Sequence, residues 1–156
     1  MKAEIVYDHT LLEIQQGVRS YMMTDTTPFL MFCGPHAGQA EEAITFYLSL
    51  LKDSRIIAMD RYGANEQEPE GMLRMARFTL AGREYMAIDS AGPHNFTFTP
   101  AFSIFVTCEG ESELEKLYGA LSEGGEALMP LDNYGFSRKF GWVKDRYGVS
   151  WQINLP

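Results

Sequence analysis

His94 is the residue whose type and position are best suited to acid–base chemistry. A histidine side chain has an unperturbed pKa near neutrality, so it can accept or donate a proton at physiological pH. His94 lies in residues 90–100, where Gly, Pro and Asn predict a loop. Because loops on a rigid scaffold often carry function, we predict that His94 is a general base at the mouth of a cleft. His9 and His36 are predicted to be surface and loop residues.

A second group of candidates is apolar. Ligand pockets are mostly apolar and hold a few polar anchors. The chain is 13% aromatic and has nine methionines, which permit an adaptable pocket. Most of these side chains are expected to form the core. Four are predicted to bind a substrate in the cleft: Phe29, Met31, Phe102 and Trp151.

Composition limits the classes of function. The chain has 156 residues, of which 46% are hydrophobic, and this length suits one domain with a sizeable core. Its net charge of -8 disfavours binding to nucleic acids or to anionic membranes. No stretch has the length and apolar character of a signal peptide or a membrane-spanning helix. We therefore expect a cytoplasmic protein with two free cysteines, Cys33 and Cys108.

The order of predicted elements repeats. Residues 1–26 are predicted to be an N-terminal appendage, and residues 27–156 a single domain of two modules, 27–92 and 99–156. Each module begins with an apolar strand and continues with an amphipathic helix, a short strand and a hairpin. The first helix is predicted over residues 39–51 and the second over residues 112–121. A β-α-β-β-β unit repeated twice describes this order most simply.

The last strands form the clearest local pattern. Residues 141–144 and 149–155 are rich in β-forming side chains, and residues 145–148 have the composition of a tight turn. Asp145 and Arg146 are predicted to serve the geometry of this turn.

Three segments together resemble the PhnB-like proteins, a branch of the vicinal oxygen chelate superfamily that includes glyoxalase I, bleomycin-resistance proteins and extradiol dioxygenases. They are residues 27–32, the Ala-Glu-Glu-Ala helix at residues 40–47, and the Trp-Val-Lys-Asp-Arg-Tyr-Gly-Val-Ser-Trp-Gln ending at residues 142–152. The resemblance covers about residues 27–155. It implies an α+β fold in which two β-α-β-β-β modules form a curled mixed sheet around a cleft, and a homodimer. Members of this branch often carry the label of a demethylubiquinone methyltransferase. A methyltransferase with a glycine-rich cofactor turn is the least favoured hypothesis, because Pro35 removes a backbone donor from the only candidate turn, residues 34–38.

The resemblance also implies where a metal ion would bind. Metal-using relatives hold the ion with His, Gln and Glu side chains from the first and last strands of each module. Here these strands offer Gln152, at a position where such relatives tend to have Glu, and Asp89. The opening strands offer no histidine. We predict no bound cofactor, although a divalent metal is possible, and assign Asp89 and Gln152 to substrate binding.

Two classes of function follow from these expectations. The preferred class is a protein that encloses a small, partly apolar molecule, either only to bind it or as an enzyme that needs no metal. The alternative is a metal-dependent lyase, isomerase or dioxygenase. The residues leave open whether a reaction is catalysed and what the ligand is.

Overall fold

The structure, a computed structural model, describes residues 24–156. Most of the predicted appendage, residues 1–26, therefore lies outside the described residues. Within these residues no helix is long and apolar enough to cross a membrane. The predicted fold class is confirmed, because the described chain forms two modules that each follow the order β-α-β-β-β.

The first module is built on a four-stranded sheet in the order β1-β4-β3-β2. Strand β1 pairs parallel with β4, and the other neighbours pair antiparallel. A 3-10 turn at Gly34–His36 follows β1 and leads towards the helix. The bounds are β1 Phe29–Cys33, α1 Ala40–Leu50, β2 Arg55–Arg61, β3 Leu73–Leu80 and β4 Arg83–Ser90.

The second module repeats this arrangement in a sheet of order β5-β8-β7-β6. Its first strand again pairs parallel with its last. The eight strands thus divide between two four-stranded mixed sheets, one in each module. The bounds are β5 Ile104–Thr107, α2 Glu111–Ser122, β6 Glu126–Asp132, β7 Lys139–Lys144 and β8 Ser150–Leu155.

Each helix covers one face of its own sheet. In α1, Ala43, Ile44 and Tyr47 are buried at three- and four-residue steps, as the sequence periodicity predicts. On the second sheet, Gly141 lets the helix approach closely, since a Cβ atom there would lie 2.6 Å from the Tyr118 ring. Within residues 24–156 the opposite face of each sheet carries no helix, and we call it the open face.

The turn between β7 and β8 depends on Gly148. Its φ of +83° lies in the left-handed region, which strains other residues. A Cβ atom at this position would also lie 2.8 Å from Nε2 of His36. The glycine therefore permits the tight turn and lets a loop of the first module pack against it.

Candidate functional site

A cavity of about 280 Å³ lies where the two modules meet, and we call it the junction cavity. Its wall comes from the start of β1, the connector between the modules and the start of β8. The lining residues are Pro28, Phe29, Leu30, Thr97, Phe98, Thr99, Phe102, Val149 and Ser150. This wall is largely apolar and carries no charged side chain, with hydroxyl groups as its side-chain polar groups.

Two of the four apolar residues predicted to bind substrate lie at this cavity. Phe29 and Phe102 both line it, and their side chains are 48% and 58% exposed. Met31 is two residues beyond Phe29 in β1, so it lies on the same open face, but it is not part of the cavity wall. The structure therefore brings Phe29 and Phe102 together and leaves Met31 beside them.

A chain of hydrogen bonds runs from the cavity wall across the open face of the second sheet, and we call it the hydroxyl network. Trp142 donates from Nε1 to Ser150 Oγ at 2.8 Å. Ser150 Oγ lies 2.7 Å from Ser103 Oγ, and Gln152 donates from Nε2 to Ser103 Oγ at 3.3 Å. Ser150, which lines the cavity, is only 2% exposed. Gln152 thus connects to the cavity through two serines.

Asp89 lies on the face of the first sheet that packs against α1, not on the open face. Its Oδ1 accepts hydrogen bonds from the backbone N–H groups of Gly38 and Ala40, at 2.8 and 3.1 Å. Oδ2 accepts from Leu73 N at 2.9 Å. Because the carboxylate satisfies N–H groups at the start of α1, where no local side chain caps the helix, Asp89 anchors the helix instead of lining the predicted cleft.

Trp151 is also in the interior and does not line the junction cavity. It is 1% exposed, and its ring contacts Tyr47 of α1 edge-on at 4.9 Å. Its Nε1 donates to Asp145 Oδ2 at 2.8 Å, and the Tyr47 hydroxyl donates to the same oxygen at 2.6 Å. One carboxylate in the β7–β8 turn therefore joins the helix of the first module to the last strand of the second.

Asp145 also serves the turn in which it was predicted to act. Its Oδ1 accepts from the backbone N–H groups of Tyr147 and Val149, at 2.9 and 3.0 Å. Burial raises the pKa of the Asp145 carboxyl above its usual value, and the hydrogen bonds from Tyr47 and Trp151 oppose that rise. Burial, with the adjacent carboxylate, raises the pKa of Tyr47 well above its usual value. The sequence predicted the turn, but no sequence pattern indicated that Asp145 would also accept hydrogen bonds from Tyr47 and Trp151 and so join the two modules.

Further contacts reinforce the same junction. The Tyr147 hydroxyl donates to Glu42 Oε1 at 2.8 Å, and burial together with Glu42 raises the pKa of Tyr147 to about 12. The Arg146 guanidinium lies 4.7 Å from the centre of the Phe46 ring, a distance that allows a cation–π contact. Arg146 thus contributes to packing between modules as well as to the turn.

His94 lies in the connector, as predicted, but it is not part of the junction cavity wall. Its Nε2 is 2.9 Å from Ser90 Oγ, and its ring centre is 5.0 Å from that of Phe96. Glu68 accepts a hydrogen bond from Ala91 N at 2.9 Å and lies 3.4 Å from Ser90 Oγ. The role of His94 as a general base stays a prediction, with Ser90 as its polar neighbour.

The residues considered as metal ligands do not form a suitable set. Asp89 and Gln152 lie on different sheets and different faces, and Asp89 is engaged by three backbone N–H groups. Among residues 24–156, no three His, Cys, Asp or Glu side chains converge in a way that could hold an ion. A resident divalent metal therefore does not fit the donors that this part of the chain presents, and no reaction step is assigned to one.

The open face of the second sheet carries a cluster of aromatic side chains that we call the exposed aromatic cluster. Phe105, Tyr134 and Phe136 are exposed and pack around the buried ring of Phe140. The rings of Phe136 and Phe140 meet edge-on at 5.0 Å, and Phe136 is 64% exposed. Phe105 is the register partner of Gln152, so the cluster and the hydroxyl network occupy one face. Exposed aromatic patches of this kind commonly mark binding or assembly surfaces.

Sequence reasoning noted Ser103 only as a poor candidate for a metal ligand and did not assign Ser103, Ser150 or Trp142 to the site. Alternation along β8 was an available signal, because Ser150 and Gln152 are two residues apart and must share a face. The pairing of Ser103 with Ser150 had no such signal, since it joins residues 47 positions apart.

Comparison with known proteins identifies the family. A family model described as 3-demethylubiquinone-9 3-methyltransferase matches residues 24–154. The PhnB protein from Bacillus cereus is 50% identical, with a TM-score of 0.80 over 85% of this chain and 100% of that one. Protein PA1353 from Pseudomonas aeruginosa is 29% identical, with a TM-score of 0.71 over 85% and 98% of the two chains.

More distant structures show the wider fold. A glyoxylase/bleomycin resistance protein/dioxygenase domain from Frankia sp. is 14% identical, with a TM-score of 0.57 over 86% of this chain and 98% of that one. No curated protein matches the sequence. The chain therefore belongs to the PhnB-like family that this model describes, and its fold is that of the glyoxalase, bleomycin resistance and dioxygenase superfamily.

Proposed function

We propose that the protein binds a small, partly apolar molecule in the junction cavity, either only to bind it or as an enzyme that needs no resident metal. The observation that carries this proposal is the wall of the cavity, which is lined by the rings of Phe29, Phe98 and Phe102 and also by the buried Ser150. Its volume of about 280 Å³ is near the lower end of the usual range for ligand sites, about 300–1,000 Å³. A molecule with one ring and a polar substituent suits this space.

The description of the family favours a second candidate, a methyltransferase. A common adenosylmethionine site needs a glycine-rich turn between a strand and a helix of a doubly wound parallel sheet. In residues 24–156 the only candidate turn forms the 3-10 segment Gly34–His36, and β1 pairs only with β4 in a mixed sheet. These features favour ligand binding over methyl transfer, so the proposal includes no methyl donor.

We also propose that the protein is a homodimer. Within residues 24–156 of a single chain, the exposed aromatic cluster and Phe29 on the first open face are both in contact with water. Burial of apolar surface favours association, and a second copy carries both surfaces. The two open faces therefore provide complementary apolar surfaces for an interface between subunits.

A neutral fluorescent probe tests binding to the cavity. We expect 1-aminoanthracene to bind the wild-type protein with increased fluorescence. Phe102→Ala should weaken this binding about three- to tenfold, because loss of apolar contact of about 1 kcal/mol corresponds to that range. Ile57→Ala is the matched control, since Ile57 is exposed on β2, the edge of the first sheet farthest from the cavity. The proposal fails if the probe does not bind, or if both variants weaken binding equally.

Native mass spectrometry provides an independent measurement. The mass of the protein is measured in volatile buffer under native conditions and again after denaturation. A small molecule carried through purification appears as the difference between the two masses. A ligand that is present in the wild type and reduced in Phe102→Ala would support the proposal and reveal the mass of the physiological molecule.

A further inference from the structure

The hydroxyl network contains one hydroxyl hydrogen that has no acceptor within residues 24–156. Ser150 Oγ accepts from Trp142, and Ser103 Oγ accepts from Gln152, whose amide is oriented with Nε2 and not Oε1 towards Ser103. A single hydrogen then lies between the two serines, donated by one or the other. Each serine has one hydroxyl hydrogen, so in either arrangement the hydrogen of the accepting serine is left over.

Ser150 is the serine that can donate the remaining hydrogen to an atom in the cavity. When Ser103 is the donor, both lone pairs of Ser150 Oγ are engaged, by Trp142 and by Ser103. Ser150 can then act only as a donor, and it is the member of the network that lines the cavity. Buried polar hydrogens are left without a partner less often than oxygen lone pairs are, so this arrangement favours an acceptor atom in the cavity.

Charge narrows the class of acceptor further. The wall of the junction cavity contains no Lys, Arg or His, and the whole chain has a net charge of -8. A carboxylate or phosphate in this wall would lose its hydration without gaining a cation, which is costly. A neutral oxygen has a much smaller cost of transfer, and the Ser150 hydroxyl can offset it.

We infer that the junction cavity binds a neutral carbonyl compound with an apolar body, such as a ketone, aldehyde or ester, whose oxygen accepts a hydrogen bond from Ser150. This inference rests on the proposed function, because it assigns a ligand class to the same cavity. Trp142, Ser103 and Gln152 hold Ser150 as a donor, while Phe29 and Phe102 contact the apolar body. No covalent step is involved.

The two tryptophans provide a built-in assay by nuclear magnetic resonance of ¹⁵N-labelled protein. The Trp142 indole N–H donates to Ser150 in the network, whereas the Trp151 indole N–H donates to Asp145 in the interior. Three probes of similar shape are titrated, namely acetophenone, ethylbenzene and benzoate. Acetophenone has the neutral carbonyl, ethylbenzene lacks an acceptor, and benzoate has a charged one.

We expect acetophenone to shift the Trp142 signal more than the Trp151 signal and to bind about three- to tenfold more tightly than ethylbenzene, as one net hydrogen bond allows. Benzoate should bind most weakly. In Ser150→Ala the ratio of the acetophenone and ethylbenzene dissociation constants should fall to about one. Ser112→Ala, an exposed serine in α2, is the matched control and should keep the wild-type ratio.

The outcomes separate this inference from the proposed function. Equal binding of acetophenone and ethylbenzene at the Trp142 signal would overturn the carbonyl assignment and leave apolar binding in place. The absence of any shift by either probe at millimolar concentration would overturn both. An unchanged Trp151 signal shows that Ser150→Ala is folded; if that variant does not fold, Ser150→Cys replaces it, and its ratio should be lower than that of the wild type because a thiol is a weaker donor.

Discussion

Tyr47→Phe tests the link between the modules most directly, because it removes one hydroxyl and keeps the ring. The Tyr47 hydroxyl donates to Asp145 Oδ2 at 2.6 Å, and both residues are buried. Hydrogen bonds to a charged group contribute about 1.5–3 kcal/mol. Trp151 still donates to the same oxygen in the variant, so we expect a loss of about 2 kcal/mol in the free energy of unfolding.

The assay is urea unfolding followed by circular dichroism and tryptophan fluorescence, at one fixed protein concentration because association would shift the apparent stability. In a thermal scan the same loss corresponds to a decrease in Tm of about 4–8 °C for a chain of this length. Tyr85→Phe is the matched control. Tyr85 is half-buried against Phe78, and its hydroxyl makes no hydrogen bond to residues 24–156.

The pH dependence of the Tyr47→Phe effect has a definite sign. Burial raises the folded-state pKa of Asp145 above its unfolded value, so the contribution of this carboxyl to stability is greatest at low pH and decreases as pH rises through the folded-state pKa. The Tyr47 hydroxyl favours the ionised form of Asp145, because it donates a hydrogen bond to the carboxylate. Removal of the Tyr47 hydroxyl should therefore lower the free energy of unfolding more at pH 7 than at a pH where Asp145 is protonated. A loss of unfolding free energy that differs from the loss in Tyr85→Phe by no more than about 0.5 kcal/mol, the usual error of such comparisons, would refute this reasoning.

Three further predictions concern metal content, assembly and packing. Dialysed protein should contain less than about one divalent ion per subunit by elemental analysis; stoichiometric metal that is lost on mutation of Gln152 or Asp89 would contradict this. Light scattering at micromolar concentration should give the mass of a dimer, and Phe136→Ser should raise its dissociation constant about tenfold, as for an aromatic residue at an interface; a wild-type monomer would argue against the proposed assembly. Gly141→Ala should destabilise the fold by about 1–3 kcal/mol in urea unfolding, because its Cβ atom would collide with α2. Gly119→Ala in α2 should instead stabilise the fold by up to about 1 kcal/mol, because a Cβ atom added at Gly119 would have no neighbouring atom within 4 Å.

The elements could be predicted from the sequence because their patterns are local. The helix predicted over residues 39–51 is α1 at Ala40–Leu50, and the one predicted over 112–121 is α2 at Glu111–Ser122. The periodicity of apolar residues follows the burial of one helix face, so a single sequence contains that information. The repeated order of elements was sufficient to predict the two modules.

Which face a strand residue occupies was only partly predictable. Trp151 and Gln152 are adjacent in β8, and adjacent side chains of a strand point to opposite faces. Both could not line one cleft, and alternation alone could have shown the conflict. Asp89 is a different case, because its partners at the start of α1 are 49 and 51 residues away and no local pattern predicts them.

The β7–β8 hairpin connects the contacts between the modules with the cavity, because the side chains of β8 alternate between the two. Every second side chain faces the interior, and those between them face the cavity side of the sheet. Trp151 points towards Tyr47 and Asp145, whereas Ser150 and Gln152 belong to the network on the open face. Asp145 also holds the backbone N–H of Val149, and residues 149 and 150 form part of the cavity wall. A carboxylate in the interior therefore sets the position of the hydroxyl that would contact a ligand. Loss of the Tyr47 hydroxyl should weaken ligand binding as well as stability, although Tyr47 does not line the cavity.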